Sequence, residues 1–190
     1  MIVLRRMRRA GGLAAVACVA AGVAWAAAAR ADDAQTGSWQ PHQYQFNFMG
    51  FTSTYSCDGL SDKLTLLLKL SGARTGARIA PLCTRGFGHP DKLAQARMDF
   101  ATFKPADGGD SAGVWRHVDL GNNRPLELGG GDCELMEQFR DVILPMFTTR
   151  NVKSQLNCVP FQGTSSWALS FDVFVPAAVP AAGAPAASKS

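Results

Sequence analysis

The chain has 190 residues, 19 Lys+Arg against 15 Asp+Glu, and a formal net charge of +4. Five of the cations (Arg5, Arg6, Arg8, Arg9, Arg30) and none of the acids lie in residues 1–31, so 14 cations face 15 acids in the rest, a balance of −1. A nucleic-acid binder needs an electropositive footprint to release counterions from phosphate, and basic residues scattered among matching acids exclude that class.

Residues 1–31 read as a cleaved signal peptide. The four early arginines form a positive n-region, "GGLAAVACVAAGVAWAAAA" is apolar, and Ala29-Arg30-Ala31 makes an A-x-A site before the acidic "DDAQ". A membrane anchor is the competing reading. The Ala/Gly-rich run is weakly hydrophobic and no stop-transfer pattern follows it, which favours cleavage and leaves no stable membrane span. Cys18 is a poor lipoprotein cysteine, because the apolar run continues past it. Residues 32–42 read as a short lead-in. Residues 43–175 are enough for a single domain with its own core. Residues 176–190, Pro/Ala-rich and without an aromatic, read as a disordered tail.

In chain order, "QYQFNFMGF" alternates Tyr44, Phe46 and Phe48 with polar Gln45 and Asn47, a half-buried strand. Ser56 is an N-cap, Asp58 suits the first helical turn, and Leu60, Leu64, Leu67 and Leu68 form one apolar helical stripe. "ARIAPLC" reads as a short strand that Pro81 confines to an edge. After the turn "GFGHPDK", "AQARMDFATF" returns as a strand with Met98 and Phe100 on one face. A glycine-rich segment, 105–113, separates this half (about 43–104) from a second (about 113–175). There "GVWRHVDL" is a strand, and Asp132 caps a helix carrying Met136, Phe139, Ile143 and Phe147 on one side. Pro145 should bend or end that helix, since it lacks an N–H. "NVKSQLNC", the turn "VPFQGTSS" and "WALSFDVFV" follow, with Trp167, Leu169, Phe171, Val173 and Val175 on one face.

The order is βαββ-βαββ. Ser56, Cys57, Asp58, Leu60, Leu67 and Leu68 recur 76 residues on (56 to 132) as Asp132, Cys133, Glu134, Met136, Ile143 and Leu144. This predicts an α+β fold: a duplicated βαββ unit with a mainly antiparallel sheet, open or curled, two helices packed on it, and two disulfides. Four cysteines in an exported chain allow three connectivities. A helix of about 15 residues descends roughly 22 Å, and a returning strand of about seven covers roughly 23 Å. Each helix start therefore meets the end of the next strand, pairing Cys57 with Cys83 and Cys133 with Cys158. Zinc is the rival for these sulfurs, but structural zinc sites use closely spaced pairs such as C-x-x-C, which the sequence lacks.

No catalytic set, metal site or cofactor is expected. "GGGDC" resembles an anion nest, but Asp132 and Glu134 would fill its positive pole with the chain's own carboxylates. "GFGHP" lacks a phosphate-loop lysine and a dinucleotide fingerprint, and "GTSSW" is no nucleophile elbow. Of the histidines, His42 falls in the lead-in and His89 in a turn. His117 stands in "WRHVDL", where strand alternation puts Trp115, His117 and Asp119 on one face. That is a candidate surface site. Its catalytic reading makes His117 a general base oriented by Asp119, and its plain reading is a solvent-facing pair beside an aromatic.

At "YSCDGLSDKLTLLLKLSGAR" and "GGDCELMEQFRDVILPMFTTRN…CVPFQG" the chain resembles a group of small exported bacterial proteins with no assigned function, over most of 43–175. That resemblance supplies no catalytic residues. In outline, by strand order alone, the repeat is also similar to SOUL-type haem-binding and bacterial effector-binding domains, whose sheets curl into a barrel or cup around ligands; this is an analogy of fold. The expected function is an exported, periplasmic or secreted, non-catalytic binding domain for an envelope protein or small ligand. The alternative is a small hydrolase-like enzyme using His117 and Asp119.

Overall fold

The structure, a computed structural model, describes residues 35–82, 89–159 and 166–177. They form β1 (Thr36–Met49), α1 (Cys57–Leu70), β2 (Arg78–Leu82), β3 (Leu93–Pro105), β4 (Ser111–Gly121), α2 (Cys133–Gln138), β5 (Thr149–Leu156) and β6 (Trp167–Pro176). The fold is α+β. One six-stranded sheet runs in the order β2-β3-β1-β4-β6-β5, and every pairing is antiparallel.

α1 begins as its sequence directs. Ser56 Oγ accepts the Gly59 N–H at 3.0 Å, and Leu60, Leu64, Leu67 and Leu68 are all buried. It ends where Gly72 takes a positive φ of 85°. The Ala73 N–H then reaches back to the Leu68 carbonyl, and the last carbonyls are satisfied without another turn. β2 is the sheet edge that Pro81 implied. Phe46, Phe48, Met98, Phe100, Leu169, Phe171 and Val173 join these leucines in one core between the sheet and the helices.

Four expectations need correction. β1 starts at Thr36, so residues 36–42 of the segment read as a lead-in are strand. β3 runs beside them from Gly37↔Pro105 to Met49↔Leu93 and satisfies their backbone. At the other end β6 takes in Pro176, and the Ala177 N–H bonds the Ala112 carbonyl, so the strand outlasts the expected boundary of the tail. The second helix is composite: a 3-10 turn (Gly130–Asp132), α2, a π-turn (Phe139–Ile143) and a second 3-10 turn (Leu144–Met146). The Leu144 N–H bonds the Phe139 carbonyl, one residue beyond α-helical reach, just before Pro145 offers no donor. Phe147 is extended, yet buried with Met136, Phe139 and Ile143.

The fourth correction concerns Asp132, which does not cap α2 with its side chain. It is buried and turned toward the first half of the chain. Its Oδ2 accepts from the Gly129 N–H at 2.7 Å and from Lys63 Nζ at 2.9 Å, and its Oδ1 accepts from the Tyr55 hydroxyl at 2.5 Å. A buried carboxylate takes the donors that satisfy it most fully, and two of these come from across the fold. Burial, and then the Asp132 hydrogen bond, hold the Tyr55 hydroxyl far above the usual phenol range.

Cys133 and Cys158 form a disulfide with Cα atoms 5.5 Å apart, closing a separation of 25 residues. Cys57 is buried at the start of α1. Its expected partner Cys83 lies outside the described residues, as do the expected signal peptide, residues 83–88 and 160–165, which take in parts of both expected turns, and residues 178–190 of the expected tail. No helix among the described residues is long and apolar enough to cross a membrane.

Candidate functional site

β4 carries the three residues singled out in the sequence. Val118 and Leu120 face the core and are buried, so alternation turns Trp115, His117 and Asp119 to the sheet's outer face. Their cross-strand partners on β6 are Phe174, Asp172 and Ser170. The structure thus brings all three to one face, but His117 and Asp119 do not pair with one another. His117 Nδ1 donates to Asp172 Oδ1 at 2.8 Å, and Asp119 Oδ2 meets Arg124 Nη1 at 3.3 Å. Asp172 Oδ2 also accepts from Asn151 Nδ2 at 2.7 Å and faces Arg150 Nε at 3.5 Å. The His117 hydrogen bond, then that of Asn151, holds the Asp172 carboxyl below the usual carboxylate range.

Asp172, Asn151 and Arg150 were missed because their place beside His117 depends on strand register, which has no local signal. Asn151 sits at the irregularity between Arg150 and Lys153 with a φ of 55°, a conformation its residue type tolerates. With Nδ1–H committed to Asp172, a neutral His117 presents Nε2 as an acceptor, and its side chain is 65% exposed. Among the described residues Asp172 is its hydrogen-bond partner and no hydroxyl or thiol bonds the ring. No group of three metal-ligating side chains occurs among the described residues.

The outer face also carries a chain of rings. Trp39 lies 5.3 Å from Phe103, Phe103 stacks on Phe174 at 5.4 Å, and Phe174 lies 5.4 Å from Trp115. Arg74 covers Trp39 at 5.8 Å and Arg150 covers Trp115 at 4.2 Å. Gly37 and Gly113 make room: a Cβ at either would lie 2.5 Å or less from the Phe103 or Phe174 ring. These faces are occupied by one another and by guanidinium, so the row braces the sheet rather than offering a stacking platform.

A groove of about 810 Å³ runs beside β4. Lys69 and Leu70 at the end of α1 form one wall, Arg116 to Leu120 form the second, and Asn123 to Glu127 close the third. Leu70, Val118, Leu120, Pro125 and Leu126 make its surface largely apolar, while Lys69, Arg116, Arg124, Asp119 and Glu127 supply charge. Arg116 Nη2 donates to the Leu70 carbonyl at 2.9 Å, fixing the wall of α1 to that of β4. Leu126 is 84% exposed at the rim.

Two further polar groups are structural. The Glu134 carboxylate accepts from the Phe51, Thr52 and Ser53 N–H groups at 3.0–3.1 Å. A backbone nest therefore exists and Glu134 fills it, but it is built by residues 51–53 and not by "GGGDC", where the sequence places it. His42 bonds Thr102 Oγ1 at 2.8 Å, and that hydroxyl donates to the Met146 carbonyl at 3.0 Å. Burial, and then Lys104, lowers the His42 pKa. Comparison of the chain with family models, with curated proteins and with solved structures finds no match, which leaves the site's own geometry to carry any functional reading.

Proposed function

We propose that the chain is an exported cell-envelope protein, periplasmic or secreted, whose domain binds a ligand or partner non-catalytically in the groove between α1 and β4. The observation carrying this reading is the groove itself: concave, mostly apolar, of ligand-site size, with a few convergent charges. Its walls come from the first half of the chain (α1) and the second (β4). The Cys133–Cys158 disulfide supports an oxidising compartment. A fragment library followed by amide shifts is the test. Hits should cluster at residues 69–70, 116–120 and 123–127; no hits, or hits scattered over the surface, overturn the proposal.

The His117–Asp172 pair favours a second reading, a small hydrolase-like enzyme with His117 as general base. In any activity the chain shows, His117→Ala should then reduce the rate by about a hundredfold or more. An unchanged rate removes it.

The architecture behind both readings is, we infer, a duplicated βαββ unit. The sheet order β2-β3-β1-β4-β6-β5 maps onto itself when β1, β2 and β3 are exchanged with β4, β5 and β6. The 76-residue offset (113 less 37) also relates Gly37 to Gly113, Trp39 to Trp115 and Arg74 to Arg150, all parts of the outer-face brace. By the same logic Cys57 pairs with Cys83, making a second disulfide.

A further inference from the structure

β4 is the place where the sheet is incomplete. It pairs with β6 along Gly113–Gly121 on one side, but with β1 only at Thr36↔Ala112 and Gly37↔Ser111 on the other. Beyond that point the two strands part. The direction of each backbone group follows from strand alternation. The Gly113 N–H bonds the Gln35 carbonyl, and the Gly121 N–H bonds the Arg124 carbonyl, so odd-numbered residues of β4 face away from β6. The N–H and C=O groups of Trp115, His117 and Asp119 therefore point into the opening, with no hydrogen-bond partner among the described residues. The groove of about 810 Å³ lies along this stretch.

β1 shows how such an edge is blunted. The Gln35 carbonyl, just before β1, faces β4 and the Thr36 carbonyl faces the Ala106 N–H, so odd residues of β1 point to the same opening. Pro41 is one of them, and it removes a donor there without costing the β1–β3 ladder a bond. At the same offset of 76, β4 has His117 (117 less 41), which keeps its N–H. One edge of the opening is protected and the other is left able to pair.

We propose that Trp115–Asp119 is a docking edge for an extended, proline-free peptide segment of a partner protein, which adds to β4 as a strand. This deepens the groove-binding reading and rests on it. Charge and shape select the segment. Its side chains on the helix side meet Leu70, Val118 and Leu126 and the cations Lys69 and Arg116, which outnumber the one further acid, Glu127, whereas Arg124 is already matched by Asp119. Apolar and acidic residues at alternate positions fit that side, and small polar residues fit beside His117 and Asp119. A second copy of the chain is a poor occupant, because α1 and the 123–127 loop flank the edge and would meet their own copies in a symmetric pairing.

The test uses the 15N-labelled full chain and an acetylated, amidated Thr-Val-Thr-Glu-Thr-Val-Thr peptide. Binding should move the Trp115, His117 and Asp119 amide signals and slow their hydrogen exchange. Of two versions N-methylated on alternate residues, the one whose blocked groups face β4 should lose about tenfold in affinity per hydrogen bond removed, and the other should bind as before. His117→Ala, which keeps the backbone donor, should bind, and His117→Pro should not. Should His117→Pro fail to fold, the N-methyl comparison still decides. Equal binding of both N-methylated peptides, protection confined to other strands, or concentration-dependent protection without peptide would overturn strand addition. Loss of the peptide effect with fragment hits still clustered in the groove would sink the docking edge and leave the groove-binding reading standing.

Discussion

Glu134 shows at the level of one residue what a charged group inside this fold does. It is 8% exposed and accepts hydrogen bonds from three successive backbone N–H groups. Replacing it with glutamine removes the charge and turns one acceptor into a donor facing those N–H groups. Glu134→Gln should lower unfolding stability by about 1–3 kcal/mol, read as a reduced urea midpoint at constant slope. An unshifted midpoint would mean that solvent already satisfies residues 51–53. The sequence placed Glu134 in a helical first turn but not in a nest 81 to 83 positions away, because such a partner is set by chain folding. The same holds for Asp132: its N-cap residue type is evident, yet Tyr55 and Lys63 outcompete the local cap.

At the level of elements, the outer-face brace decides how the halves of the sheet meet. Phe103 and Phe174 are both buried and stack across the junction over Gly37 and Gly113. A methyl group at Gly113 would sit 2.0 Å from the Phe174 ring, which has no open space into which to move. Gly113→Ala should therefore cost about 1–3 kcal/mol through overpacking. Gly129→Ala meets no atom within 4 Å and should stay within about 0.5 kcal/mol. Equal effects at the two glycines, measured by chemical denaturation, would refute the brace. Most of β1, β3 and β6, together with α1, were readable from period, since burial on one face imposes alternation or a 3.6-residue stripe, whereas β5 is exposed almost throughout and carries no such period. The π-turn before Pro145 was readable only as a disturbance.

For the molecule as a whole, the Cys133–Cys158 bridge ties the start of α2 to the chain just beyond β5 across 25 residues. Closing a loop of that length restricts the unfolded chain by about 3 kcal/mol. A Cys133→Ala, Cys158→Ala double variant should lose about that much in denaturant, while reducing conditions, which would also open the proposed Cys57–Cys83 bridge, should lower the wild-type chain further. A variant as stable as the oxidised wild type would show that the core alone holds the second half.

By itself the sequence determined the order of elements, the buried faces of α1 and of β1, β3 and β6, the edge position of β2, and the Cys133–Cys158 partner. Each of these follows from short-range periodicity, caps and spacing that survive any tertiary arrangement. It also picked out Trp115, His117 and Asp119 as residues sharing a face. Only the tertiary structure gave His117 to Asp172 and Asp119 to Arg124, turned Asp132 inward, and parted β4 from β1 beside an open groove. Those outcomes depend on strand register and on contacts between segments far apart in the chain, and neither leaves a mark on local residue order.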